Sequence, residues 1–172
     1  MRKIIILIAI LFIYQVQAQE KNKLKIKSID YGVIGVYTNL EKNGIRGFCT
    51  NIELITDYQK NLFSFNYTVG FGITKNENKI HDLQGFMSAD LLYGRENTIS
   101  KVISFEPYLG LSYIIQSNTS EAGGKSAIGL PIKAKLFFQT GKKFAIGINP
   151  NVNINNVNTI YSANLLLRFK FK

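Results

Sequence analysis

Residues 160–171 read Ile160-Tyr161-Ser162-Ala163-Asn164-Leu165-Leu166-Leu167-Arg168-Phe169-Lys170-Phe171. Tyr161, Ala163, Leu165, Leu167, Phe169 and Phe171 alternate with Ser162, Asn164, Arg168 and Lys170, and only Leu166 departs from the pattern. Successive side chains of a strand point to opposite faces, so this segment is a ribbon with one apolar and one polar side. Two aromatics in the last four residues add to the signal. Such a strand suits the closing seam of a membrane barrel, apolar toward lipid and polar toward the lumen.

Seven earlier segments repeat the design. The full set is Ile29–Thr38, Arg46–Asp57, Leu62–Thr74, Leu83–Arg95, Val102–Ile115, Ser126–Phe138, Phe144–Ile154 and Ile160–Phe171. Between them lie Lys42-Asn43-Gly44, Gln59-Lys60-Asn61, Lys75-Asn76-Glu77-Asn78, Glu96-Asn97, residues 119–124, Thr140-Gly141-Lys142 and Asn155-Asn156. Gly and Asn favour turns because they tolerate positive φ and bond their own backbone. The period of two is clean in the third segment, where Phe63, Phe65, Tyr67, Val69, Phe71 and Ile73 share a face. It is also clean in the seventh, through Phe144, Ile146, Ile148, Val152 and Ile154, and mixed in the first, second and fourth. No helical pattern of useful length follows residue 18. Each segment is about 10–14 residues long, whereas a tilted membrane strand needs roughly 9–11 and a globular one averages 5–6.

The sequence therefore predicts an all-β fold, an eight-stranded antiparallel up-and-down transmembrane β-barrel over residues 29–172. An even strand count puts both chain ends on one side. Connections near 39–45, 75–82, 116–125 and 155–159 then face outward, and those near 58–61, 96–101 and 139–143 face the periplasm. Tyr31, Tyr37, Phe63, Tyr93, Tyr113, Phe138, Phe144, Tyr161, Phe169 and Phe171 sit near strand ends, where interfacial girdles would place them. The competing explanation is that strands simply favour aromatics.

The beginning of the chain supplies the expected location. Arg2 and Lys3 precede an apolar run from Ile4 to Tyr14, and Val16-Gln17-Ala18 offers a small-residue cleavage site. That is the layout of a signal peptide over residues 1–18, with a basic lead-in over 19–28 containing Lys21, Lys23, Lys25 and Lys27. The run is shorter than the roughly 20 residues of a membrane-spanning helix. The formal net charge is +10, but its Lys and Arg are scattered through turns and strand faces. Such a surface suits anionic headgroups rather than nucleic acid. Cys49 is the single cysteine, which excludes an intrachain disulfide and reads as a small buried side chain.

The apolar phase assigns the inward charges: Glu53, Asp90, Glu106, Lys133, Lys135, Arg168 and Lys170. An eight-stranded barrel has room for little more than its own side chains. Acids and bases crowded there should pair, because an unpaired buried charge is costly. The expectation is a lumenal charge network of Glu53, Asp90, Glu106, Lys133, Lys135 and Arg168 that plugs the barrel. A narrow charged pore is the alternative. A soluble periplasmic lipocalin-like barrel would instead turn the apolar face inward around a ligand.

Catalytic constellations are missing. His81 is the single histidine and falls in an expected outer loop. Gly124-Lys125-Ser126 is similar to the end of a phosphate-binding loop, but Thr119 stands where the leading glycine belongs and no helix follows. No ligand cluster has metal spacing. The reading is non-enzymatic, without cofactor or metal.

The segment Phe105-Glu106-Pro107-Tyr108-Leu109-Gly110, together with the aromatic last strand, resembles the small outer-membrane β-barrel proteins of Gram-negative bacteria, the OmpX/OmpA-like superfamily. The Asn- and Lys-rich style is similar to members from the Bacteroidetes. The resemblance spans Ile29 to Lys172 and implies an outer-membrane monomer surrounded by lipid and lipopolysaccharide. It also implies the barrel-assembly machinery as a partner in biogenesis, and a role in adhesion or envelope integrity.

Overall fold

The computed structural model describes residues 24–39, 44–59, 61–75, 81–118 and 124–171. The signal-peptide reading over 1–18, the lead-in residues 19–23 and Lys172 lie outside the described residues. Eight long strands make the fold: β1 (Lys25–Thr38), β2 (Ile45–Tyr58), β3 (Asn61–Lys75), β4 (His81–Arg95), β5 (Ile103–Asn118), β6 (Lys125–Gln139), β7 (Phe144–Asn155) and β8 (Ile160–Lys170). Each pairs antiparallel with its sequence neighbours. The sheet closes where Ser28–Thr38 of β1 pairs with Tyr161–Lys170 of β8. Closure leaves no unpaired edge, which is what a sheet in hydrocarbon requires.

Strand ends differ from the sequence reading by a few residues. β1 begins at Lys25 rather than Ile29, because Lys25 and Ile26 find partners in Asp57 and Thr56. β3 and β4 are paired out to Lys75↔His81, so His81 opens a strand instead of lying in a loop. The connection after Arg95 is partly ordered by Asn97 and Thr98, which pair with Phe105 and Ser104. Between β2 and β3 the link is two residues long, and Gln59 takes φ 51° there. Two-residue hairpin turns need positive φ to match the twist of their strands.

Polarity is inverted relative to a soluble protein. Outward positions carry Phe48, Phe65, Phe71, Leu91, Leu111, Ile128, Ile148 and Leu165, all exposed. Inward positions carry Asp30, Asn51, Glu53, Asn66, Asp90, Glu106, Lys133, Lys135, Asn164 and Arg168, all buried. The lipocalin arrangement would have shown the opposite. Leu166, the residue out of pattern in β8, keeps its inward phase and packs against Phe137 and Ala145.

The mixed look of the first strand has a physical cause. Register shifts between Gly32 and Gly35 on both of its pairings, and Val33 and Ile34 are both exposed. This β-bulge reverses the phase of the rest of β1. Tyr37, expected in the outer aromatic girdle, therefore faces the lumen and meets the Phe86 ring edge-on at 4.8 Å. The other nine aromatics named for the girdle are exposed.

Inside, apolar clusters bracket the charged region. Tyr37, Cys49, Phe86, Ile114, Ala127 and Ile160 fill the loop end, and Ile55, Leu62, Leu92 and Tyr108 gather nearer the chain termini. Glycines make space for the aromatic members. A Cβ on Gly94 would stand 2.4 Å from the Tyr108 ring, and one on Gly147 would stand 2.5 Å from Phe137 and 2.7 Å from the Leu136 carbonyl. Gly147→Ala should therefore destabilise the barrel by about 1–3 kcal/mol, the usual cost of overpacking. A lowered urea midpoint for the folded protein in liposomes would register it. An unchanged midpoint would mean that Phe137 is not seated over Gly147.

Candidate functional site in the barrel lumen

Three strands bring their inward charges to one point. Arg168 of β8 donates from Nε to Asp30 Oδ1 at 2.7 Å and from Nη2 to Asp30 Oδ2 at 2.8 Å. The same guanidinium donates from Nη1 to Glu106 Oε1 at 2.6 Å and from Nη2 to Glu106 Oε2 at 2.8 Å. Two carboxylates thus hold one guanidinium in paired forks, the strongest geometry open to these groups. The face of the guanidinium rests on Phe137, with Cζ 3.6 Å from the ring centroid. Arg168, Asp30 and Glu106 are almost wholly buried.

From this centre the charges alternate in a ladder. Asp30 Oδ2 also accepts from Lys135 Nζ at 3.0 Å, and Lys135 reaches Glu53 Oε1 at 2.7 Å. Lys133 sits 3.9 Å from Glu53 Oε2 and 3.0 Å from Asp90 Oδ2. At the mouth near the termini, Lys27 donates to Glu106 Oε1 at 3.1 Å and pairs with Glu96 at 2.9 Å. The order is Lys27, Glu106, Arg168, Asp30, Lys135, Glu53, Lys133, Asp90, with each charge beside its opposite. Alternation matters in a confined site of low dielectric, where like neighbours would repel and unpaired ions would be costly.

Neutral donors complete the carboxylates. Ser64 donates to Glu53 Oε1 at 2.7 Å, Tyr108 to Glu106 Oε2 at 3.0 Å, and Asn66 Nδ2 to Asp90 Oδ2 at 2.8 Å. Asn51 Nδ2 continues the chain to Asn66 Oδ1 at 2.9 Å. The Tyr108 ring lies 4.6 Å from Lys135 Nζ. Pairing is dense at Arg168 and sparser at Lys133, where Glu53 Oε2 and Asp90 Oδ1 have no hydrogen-bond partner.

All six residues named from the sequence, Glu53, Asp90, Glu106, Lys133, Lys135 and Arg168, stand in this ladder. Lys170 stands apart from it, half-buried and hydrogen-bonded to Gln139. Sequence reasoning missed Asp30 and Lys27. Asp30 sits between Ile29 and Tyr31, a local alternation that the nearby bulge obscures, and Lys27 falls in the stretch that reads as a basic lead-in. Cys49 is buried beside Asn164, with Sγ 3.5 Å from Nδ2. Among the described residues no group of three His, Cys, Asp or Glu could hold a metal ion.

No family model and no curated protein matches the sequence. Solved structures do resemble the fold. Ail, the attachment invasion locus protein of Yersinia pestis, in complex with the heparin analogue sucrose octasulfate, aligns with a TM-score of 0.60 at 16% identity. That alignment covers 84% of this chain and 97% of Ail. Neisserial surface protein A aligns with a TM-score of 0.58 at 13% identity, over 88% of this chain and all of that one. The N-terminal β-barrel domain of Pseudomonas aeruginosa OprF gives 0.54 at 13% identity, over 87% and 100% of the two chains. At such identities the likeness establishes the architecture, a closed eight-stranded antiparallel barrel.

Arg168→Met leaves Asp30 and Glu106 facing each other without their shared cation. The expected loss is about 3–5 kcal/mol, typical for breaking one side of a buried ion pair. Urea titration in liposomes would measure it. The triple change Asp30→Asn, Glu106→Gln and Arg168→Met should recover much of that loss, because it leaves no charge uncompensated. A wild-type midpoint for Arg168→Met would show that the forks contribute nothing.

Proposed function

We propose that this chain is an outer-membrane β-barrel protein, non-enzymatic, with a lumen plugged by its own ion pairs. One observation carries the reading: an apolar wall outside combined with an alternating ladder of buried charges inside. A soluble chain would have no reason to expose Phe48, Phe71, Leu91 and Ile128, and hydrocarbon gives one. The plug follows from the ladder crossing the lumen between apolar clusters at both ends. An ion entering there would have to displace Arg168 from two carboxylates.

The task of such a barrel is structural or one of surface interaction. Hairpin connections at the end opposite the termini are the parts that face the medium. The surroundings are outer-membrane lipid and lipopolysaccharide, and the aromatic last strand is the element that the barrel-assembly machinery would engage during biogenesis. The signal-peptide layout of residues 1–18 fits the same route.

Two measurements test this reading. Fractionation should place the protein in the outer membrane as a band that shifts on heating before electrophoresis. Folded protein obtained without detergent would refute the membrane location. In planar bilayers the purified protein should give no steady current, and a lasting open channel would refute the plug.

A further inference from the structure

A concave apolar surface of about 940 Å³ opens on the outer wall near the loop end. Ligand sites occupy roughly 300–1,000 Å³. Cross-strand register aligns Arg46 with Ile73 near the rim, and Ala163, Val36, Phe48 and Phe71 in the row beneath. Phe48 and Phe71 are each 70% exposed. Among the described residues Arg46 is the one charged residue lining this surface. It is exposed, and no ion pair joins it to a described residue.

We propose that this surface holds a phosphorylated, multiply acylated glycolipid of the outer leaflet, its acyl chains on the lower row and a phosphate on Arg46. The inference rests on the outer-membrane reading above and adds a site to it. Charge supports it first, since a guanidinium binds phosphate through paired hydrogen bonds. Height supports it next. Arg46 and Phe48 are two residues apart on one strand, about 7 Å along its axis, so a headgroup on Arg46 leaves its chains at the level of the rings. Width selects the lipid class. The surface crosses five adjacent strands from β8 to β4, about 19 Å at the usual strand spacing, broader than a single chain requires. Its position at the end opposite the termini places it in the outer leaflet. An arginine that only snorkels toward water needs no concavity beside it.

The test uses the purified full-length mature barrel, delipidated in mild detergent and titrated with lipopolysaccharide or phosphatidylglycerol under native mass spectrometry. Lipopolysaccharide should bind at one per chain and outcompete phosphatidylglycerol. Arg46→Gln should weaken it roughly tenfold, as loss of a charged hydrogen-bond partner does, and Arg46→Lys should retain part of the binding. Ala163→Phe fills the surface without altering charge and should also weaken binding. A band that still shifts on heating would show that each variant remains folded. Equal binding by wild type, Arg46→Gln and Ala163→Phe overturns the site while leaving the outer-membrane reading intact. Preference for phosphatidylglycerol, or a dimer formed through this face, overturns it as well. Absence of the protein from the outer membrane would refute the underlying location instead.

Discussion

The double fork at Arg168 is the contact on which the interior depends. One guanidinium from the last strand holds a carboxylate from the first and another from the fifth. Remove it and two acids face each other in a lumen too narrow for bulk water to screen them. Keep it and every further charge can be placed by alternation, from Lys27 at the mouth to Asp90 near the middle. Buried ion pairs often fail to offset their desolvation when an apolar residue could replace them. A membrane barrel has less freedom, because its apolar residues already cover the outside. The ladder is how this chain fills a polar interior without leaving ions unmatched.

The two faces answer to different constraints. Outside, the requirement is apolar area at every second position, and many residue types meet it. Inside, shape is specified residue by residue. Gly94 and Gly147 are small because Tyr108 and Phe137 lie over them, and Leu166 is apolar because it completes a cluster with Phe137 and Ala145. Backbone hydrogen bonding closes through β1 and β8, so neither face has an unpaired edge to protect.

Most of the architecture could be read from spacing alone. Period two over long segments, interrupted by Asn- and Gly-containing turns, specifies strand number, closure and which side faces lipid. Where the period was clean, as in β3, β7 and β8, inward residues followed directly. It failed at β1 for a definite reason. The bulge at Val33 and Ile34 inserts one residue, so a strict alternation puts Tyr37 on the wrong side and hides the company that Asp30 keeps. Contacts across the lumen are a different matter. Asp30 stands directly opposite Arg168 in the seam register, but Glu106 reaches it across the lumen, where strand tilt and barrel radius rather than neighbouring residues set the contact. The concave surface around Arg46 was equally hidden, being a product of register across five strands.

Arg168 and Asp30 are separated by 138 residues. Their pair therefore closes a loop that spans nearly the whole chain, and it joins the first strand to the last. The forks also act as a check on the seam. A slip of one residue between β1 and β8 would turn Arg168 outward beside the girdle and Phe169 toward the lumen. The direct cost of an arginine there is only about 0–1 kcal/mol near an interface, so the loss of both forks carries most of the penalty. The same residue that neutralises the interior thus proofreads the closure of the barrel, accepting one register and rejecting its neighbours.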